Sequence, residues 1–196
     1  SVQGHYTKLL ARVVILTAKA ARRNGEGPVR FSIPIDLRSR RPGLRSTGNL
    51  TNAIYISVDP ESTAEQIDNI IKRRLQEQDD GQLNLEYILI PYVPIQMLRW
   101  MLSKYEQQKF IANKYRCSGF ITNLGRVSLN LFSGGGFTPT AFFVFPVSIP
   151  SLPFFLTMSG YNDMTDYVLG MPKLFADQGR LEEILGYITN GLDHMD

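Results

Sequence analysis

The spacing of apolar residues changes several times along the chain, and each change marks an element. From about Tyr6 to Arg23, residues Leu9, Leu10, Val13, Val14, Thr17, Ala20 and Ala21 recur at the period of one helix face, and Asn24-Gly25 supplies a stop. Lys19, Arg22 and Arg23 fall in the last turns, where cations suit the negative end of the helix dipole. The period then drops to two. Val29, Phe31, Ile33 and Ile35 alternate with Arg30, Ser32, Pro34 and Asp36, which predicts a strand with one polar face. Pro34 has no N–H for a ladder, so this strand is expected at a sheet edge or with a bulge. Asn52 to Val58 is β-branched and aromatic on both faces, the pattern of an interior strand. Pro60 ends it. Ser62 and Glu65 form a capping box for a helix whose stripe is Ile67, Ile70, Ile71 and Leu75, closed by Asp79-Asp80-Gly81.

Leu85 to about Tyr115 reads as broken helix, interrupted by Pro91 and with Pro94 placed for the first turn of the segment after it. Ile95, Leu98, Trp100, Met101, Leu102 and Tyr105 make that segment apolar on more than one side. The pattern fits core packing, and also the wall of an acyl tunnel or a partner surface. Cys117–Asn123 predicts a strand, Leu124-Gly125 a turn, and Val127, Leu129 and Leu131 a hairpin partner. Ala141 to Met158 is long and apolar, but Pro146, Pro150 and Pro153 argue against a membrane helix there. Two buried strands, Thr140–Val147 and Pro153–Gly160, with a third at Met164–Gly170, would form an antiparallel meander. A last helix from near Asp177 buries Leu181, Ile184, Leu185, Ile188 and Leu192. The expectation is an α/β (α+β) fold in one domain over 1–196, with a mixed sheet of about five to six strands and helices packed on it.

Composition narrows the classes. With 43% apolar and 20% charged residues the chain is globular, and a formal charge of +3 is too mild to argue for nucleic acid. Its single cysteine, Cys117, excludes an internal disulfide framework and suits a reducing, cytoplasmic setting. There is no initiator Met and no signal-like segment, and the chain opens almost directly into helix, which points to a piece of something longer.

Candidate chemistry is sparse. Arg38, Arg40, Arg41 and Arg45 follow one another without an intervening acid, so this loop can be a solvated surface or can grip a phosphate-bearing thiol carrier. Ser133-Gly134-Gly135-Gly136 lacks the flanks of a nucleotide loop. The only histidines, His5 and His194, lie near the chain ends and outside any HHxxxD or HExxH setting. Asp163 with Asp166, and Glu182 with Glu183, read as solvated surface pairs, so no catalytic base and no metal set is expected.

The segments IPIDLRSR, GNLTNAIYISV and FITNLGRVSL, in this order and between these elements, resemble the C-terminal half of the chloramphenicol-acetyltransferase-like superfamily. That group includes peptide-synthetase condensation domains, wax ester/diacylglycerol acyltransferases, polyketide-associated acyltransferases and alcohol acetyltransferase-like proteins. The local matches are Pro34-Ile35-Asp36-Leu37-Arg38, Gly48-Asn49 with Asn52, and Thr122-Asn123-Leu124-Gly125. The resemblance implies one half of a CoA-dependent acyltransferase fold, with the active-site tunnel between two similar halves. It implies that the general base, the histidine of an HHxxxD motif, belongs to the N-terminal half, which is this chain's principal partner. The donor would be a thioester of coenzyme A or of a carrier protein's phosphopantetheine, the acceptor an alcohol or amine. On this resemblance Asp36 and Arg38 take structural or tunnel-edge roles, Gly48, Asn49 and Asn52 shape the region facing the other half, and Asn123 and Gly125 form a turn near the tunnel. Arg40, Arg41 and Arg45 are the candidates for phosphate contact. The DFGWG sequence of the plant branch is absent.

A competing expectation is a docking module, with the Arg38–Arg45 loop binding an acidic carrier domain or a membrane surface in a salt-sensitive way. A degenerate, non-catalytic member of the same superfamily is a third. An HHxxxD motif upstream in the parent reading frame separates the enzyme reading from the others.

Overall fold

The computed structural model describes residues 2–22, 27–38, 43, 48, 50–77, 89–111, 115, 117–147 and 152–194. Helix α1 (Val2–Arg22) leads into strand β1 (Val29–Asp36) and strand β2 (Thr51–Val58), followed by helix α2 (Ala64–Gln76). A 3-10 turn at Ile90–Tyr92 precedes helix α3 (Ile95–Ile111), and strand β3 is Gly119–Arg126. A second 3-10 turn covers Leu129–Phe132. Strands β4 (Phe155–Tyr161) and β5 (Met164–Gly170) follow, and helix α4 (Arg180–Asp193) is the last element. The strands form one five-stranded sheet in the order β2-β1-β3-β4-β5. β1 is antiparallel to β2 and parallel to β3, β3 is parallel to β4, and β4 is antiparallel to β5. This is the mixed α/β sheet the apolar pattern predicts.

Helices α1, α2 and α4 cover one face of the sheet, with α1 at the centre touching both of the others. Ala11, Val13, Val14 and Ala18 of α1 are completely buried, which explains a helix so rich in small and β-branched residues: it is enclosed on most sides. Phe31 and Ile33 of β1, Ile121 of β3, and Leu156 and Met158 of β4 meet it from the sheet, and Ile184 and Ile188 from α4. Arg22 ties the end of α1 to the strands, donating from Nε to the Gly27 carbonyl (2.9 Å) and from Nη2 to the Val58 carbonyl.

Four expectations change at the level of elements. β2, read as interior, is the outermost strand; Ile54, Ile56 and Val58 are buried beneath α1 and α2, while its other face carries Tyr55 under the Arg30 guanidinium (4.7 Å). A strand with one buried face and one aromatic face reads like an interior one. The capping box sits one residue later than expected, on Thr63 and Gln66. Ser62 is already used: its hydroxyl accepts from the Asp59 N–H, closing the preceding turn.

Leu124-Gly125 is not a hairpin turn but a bulge near the end of β3, and the residues after it coil into 3-10 turn. β3 is flanked by β1 and β4, so no edge is left for a hairpin partner. The same reasoning corrects Thr140–Val147. β4 is flanked by β3 and β5, and residues 141–147 instead run over the sheet's second face without a ladder. Thr157 and Ser159 hold them there, donating from their hydroxyls to the carbonyls of Val144 (2.7 Å) and Phe142 (3.4 Å). The Asp79-Asp80-Gly81 stop lies outside the described residues.

Pro34 also behaves differently from expectation. β1 is central in the sheet, yet its pairing with β3 covers only Phe31 and Ser32. The Arg30 carbonyl accepts from Ser118 N–H on the β3 side, so by alternation the N–H groups of residues 30, 32 and 34 all point toward β3. At Pro34 that donor is missing, and the ladder stops before it. An interior strand thus has a local edge.

Candidate functional site

The carboxyl ends of β1 and β3, together with the start of β2, gather most of the predicted site residues that the structure describes. Asp36 ends β1 and Asn52 lies opposite Ile35 in β2. The Asp36 carboxylate accepts from the Arg38 backbone N–H (3.0 Å) and from Arg38 Nη1 (3.1 Å), while Arg38 Nη2 donates to the Gly48 carbonyl (2.7 Å). Asp36 and Arg38 therefore clasp the two ends of the basic loop together. Both groups are solvent-exposed, so the clasp shapes the loop more than it stabilises the fold. Asn52 accepts from the next backbone N–H, that of Ala53, through Oδ1 (2.9 Å). Arg40, Arg41, Arg45 and Asn49 lie outside the described residues.

On β3, Asn123 Oδ1 accepts from the Gly125 N–H (2.9 Å), and Gly125 adopts φ +69°, the left-handed region that glycine enters without a Cβ clash. This is the geometry of the bulge. Past Ser32 and Phe120 the two parallel strands separate, and a cleft of about 260 Å³ opens between them. Its floor is Leu10 of α1 and Ile71 and Leu75 of α2; Asn123 and Gly125 line its rim. Asn123 and Gly125 thus meet Pro34 and Ile35 at one place, whereas Asp36, Arg38 and Gly48 form a separate cluster just beyond the end of β1. Sequence reasoning missed the cleft because its walls come from four elements; only Pro34 carried a signal for it.

A larger cleft of about 520 Å³ lies at the opposite ends of the strands, floored by Val29, Phe154 and Met171 and bordered by Cys117 and Arg180. Arg180 is held there by a bond from Nη2 to the Ala21 carbonyl (3.2 Å).

The second notable surface is apolar. Ile95, Met97, Trp100, Met101, Leu102 and Tyr105 of α3 are all exposed, Trp100 by 62%. The helix makes at most marginal contact with the sheet and the other helices among the described residues. The expectation that this segment packs into the core is therefore corrected. Residues 131–147 add exposed Leu131, Phe137, Phe143, Phe145 and Val147, with Phe143 and Phe145 packed edge to face (5.2 Å). A helix that exposes this many large apolar side chains is uncommon in a soluble domain.

Acid–base groups are few. Tyr161 donates to Asp166, and that bond, then burial, then the carboxylate's charge raise its pKa above the ordinary tyrosine value. Burial first, and the charge of Asp193 second, raise that of Tyr167. His194 is exposed just past α4. Asp163 pairs with Arg126, and Glu182 and Glu183 lie exposed in the first turn of α4. Among the described residues no cluster of His, Cys, Asp or Glu could hold a metal ion, and no helix is long and apolar enough to cross a membrane.

This sheet, with its helices on one face, matches one half of the CoA-dependent acyltransferase fold in architecture, as the resemblance in the sequence implies. Over 98% of its length the chain superposes on the epimerization domain from the third module of tyrocidine synthetase B, with a TM-score of 0.58 and 13% identity. It spans 45% of that chain. A probable dihydrolipoamide acetyltransferase from Listeria monocytogenes (TM-score 0.49, 11% identity, 95% of this chain and 70% of that one) is more distant. So is vinorine synthase (TM-score 0.48, 14% identity, 95% of this chain and 42% of that one). No family model and no curated protein matches the sequence. At such identities the likeness establishes the fold alone.

Proposed function

We propose that this chain is the C-terminal half of an acyltransferase that moves an acyl group from a thioester of coenzyme A or of a carrier protein to an alcohol or amine. The observation that carries the reading is the end-to-end superposition of the chain on 45% of a single larger domain. The uncovered apolar face of α3 and residues 131–147 supports it, because a half removed from its complement exposes the surface they share. The catalytic base then belongs to the other half. Its imidazole would take the proton of the acceptor hydroxyl or amine as that atom attacks the thioester carbonyl; the C–S bond breaks and the thiol leaves with a proton. This chain would supply a wall of the tunnel. Asp36, Arg38 and Gly48 hold the basic loop at its edge, Asn52 and Asn123 border it, and Arg40, Arg41 and Arg45 contact the donor's phosphates. A reducing, cytoplasmic setting suits its single thiol.

The test is thiol release by the parent polypeptide, offered acetyl-CoA and longer acyl-CoA donors with a panel of alcohols and amines. The reading expects acceptor-dependent release that disappears when the histidine of an upstream HHxxxD motif is replaced by alanine. A parent without that motif, inert toward every thioester but binding an acidic carrier domain in a salt-sensitive way, would instead make the chain a docking module.

A further inference from the structure

β1, β3 and β4 run parallel, so their first residues meet at one end of the sheet, beside the end of α1 and the start of α4. Hydrogen bonds tie that end together. The Ser118 N–H donates to the Arg30 carbonyl (2.6 Å), the Arg30 N–H to Ser118 Oγ (3.2 Å), and the Phe120 N–H to the Phe154 carbonyl (3.0 Å). Arg180 joins the two helices by donating from Nη2 to the Ala21 carbonyl (3.2 Å). The cleft of about 520 Å³ lies among these four groups of residues, so its frame is held by bonds on every side.

Its lining is largely apolar. Phe154 is buried, stands edge-on to Phe31 (5.6 Å) and lies against Gly119, where a Cβ would meet its ring. Tyr115 and Phe175 make a second edge-to-face pair on the wall (6.1 Å), and Met171 adds a polarisable thioether. Aromatic edges and a thioether favour a flat ring over a flexible chain. Cationic capacity is concentrated in Arg180. Its bond to Ala21 leaves most of the guanidinium fork unspent, and no carboxylate among the described residues pairs with it. Arg30 also borders the cleft, but its guanidinium lies over the Tyr55 ring (4.7 Å).

We propose that this cleft binds a small aromatic carboxylate, with its ring on the Phe154 and Met171 floor and its carboxylate on Arg180. A guanidinium matches a carboxylate in geometry as well as charge, and Arg180 is part-buried, where the pair is screened less than in open water. A neutral ring of the same size gains the floor alone. A phosphate or dicarboxylate would set a second charge against Val29 and Ile184 with no partner for it. The volume falls within the roughly 300–1,000 Å³ of small-molecule pockets, room enough for a fused ring pair. Nothing in this site depends on acyl transfer, so it stands whether or not the parent consumes a thioester.

Cys117 is the only cysteine, borders the cleft and is partly exposed, so its alkylation reports occupancy. The chain is treated with iodoacetamide across a titration of naphthalene-2-carboxylate, and separately of naphthalene-2-methanol, and alkylation is followed by mass spectrometry. The carboxylate should protect Cys117 saturably, about tenfold more tightly than the alcohol. Arg180→Gln should erase the difference between the two ligands. Met171→Trp, which fills the floor, should weaken both by about tenfold. Circular dichroism melts show whether each variant folds, and the comparison of acid with alcohol in the unsubstituted chain needs no variant. Absent protection, or equal protection by both ligands in that chain, overturns the proposal. So does protection unchanged in folded Met171→Trp. A folded Arg180→Gln chain that still prefers the carboxylate overturns it as well, and leaves Arg180 as a clasp between α1 and α4.

Discussion

Two glycines and one tyrosine hold positions where local geometry leaves little choice. A Cβ at Gly119 would come within 2.6 Å of the Phe154 ring, which is buried and stacked edge-on against Phe31 (5.6 Å). Gly119→Ala should therefore push Phe154 off its rotamer and lower the unfolding free energy by about 1–3 kcal/mol, measurable by urea denaturation. Gly125 has open space around it, so its constraint is φ alone, and Gly125→Ala should cost about 1–2 kcal/mol by the same assay. Tyr161 titrates above its unfolded value chiefly because its hydroxyl donates to Asp166, with burial of the side chain second. The sign of its pH dependence follows. Below pH 10 the neutral phenol is present in both states, and above it the unfolded chain ionises first. Stability should thus fall as pH rises from 10 toward the folded pKa, and Tyr161→Phe should flatten that decline in thermal melts recorded at stepped alkaline pH.

At the scale of elements, period and punctuation revealed α1, α2, α4 and four of the five strands close to their observed limits, because each buries at least one face. The alternation of Phe31 and Ile33, and the stripe of Ile67 and Ile71, are the plain imprint of burial under and beside α1. What pattern could not convey was order in the sheet. β3 lies between β1 and β4, both drawn from distant segments, and β4 is closed off by β3 and β5, so local alternation in Val127–Leu131 and Thr140–Val147 suggested hairpins that have no free edge to join. The candidate site divides in the same way. Asp36, Arg38 and Asn123 were legible as short polar motifs, whereas the cleft beside Asn123 depends on where two strands stop pairing. The α2 cap offers an element-scale check. Thr63 accepts from the Gln66 N–H (3.3 Å), and the Thr63 N–H donates to Gln66 Oε1 (2.9 Å), so Thr63→Ala should destabilise by about 1 kcal/mol while Ser62→Ala costs less.

For the molecule as a whole the unusual feature is α3. A 17-residue helix with little tertiary contact among the described residues is marginal in water, since most helical stability in proteins comes from packing an apolar face. Its exposed Ile95, Trp100 and Leu102 call for a cover, and the Phe-rich stretch through Phe143 and Phe145 extends the same demand. In the half-domain account that cover is the complementary half.

Trp100 is the only tryptophan and sits on α3, so its emission reports directly on that boundary. The decisive measurement is its fluorescence spectrum in this chain alone and in the parent polypeptide, with the parent's other tryptophans replaced by phenylalanine. The half-domain account predicts water-exposed, red-shifted emission that iodide quenches readily in the isolated chain, and blue-shifted, protected emission in the parent. Equal exposure in both would mean that nothing in the parent covers α3, and would contradict the account.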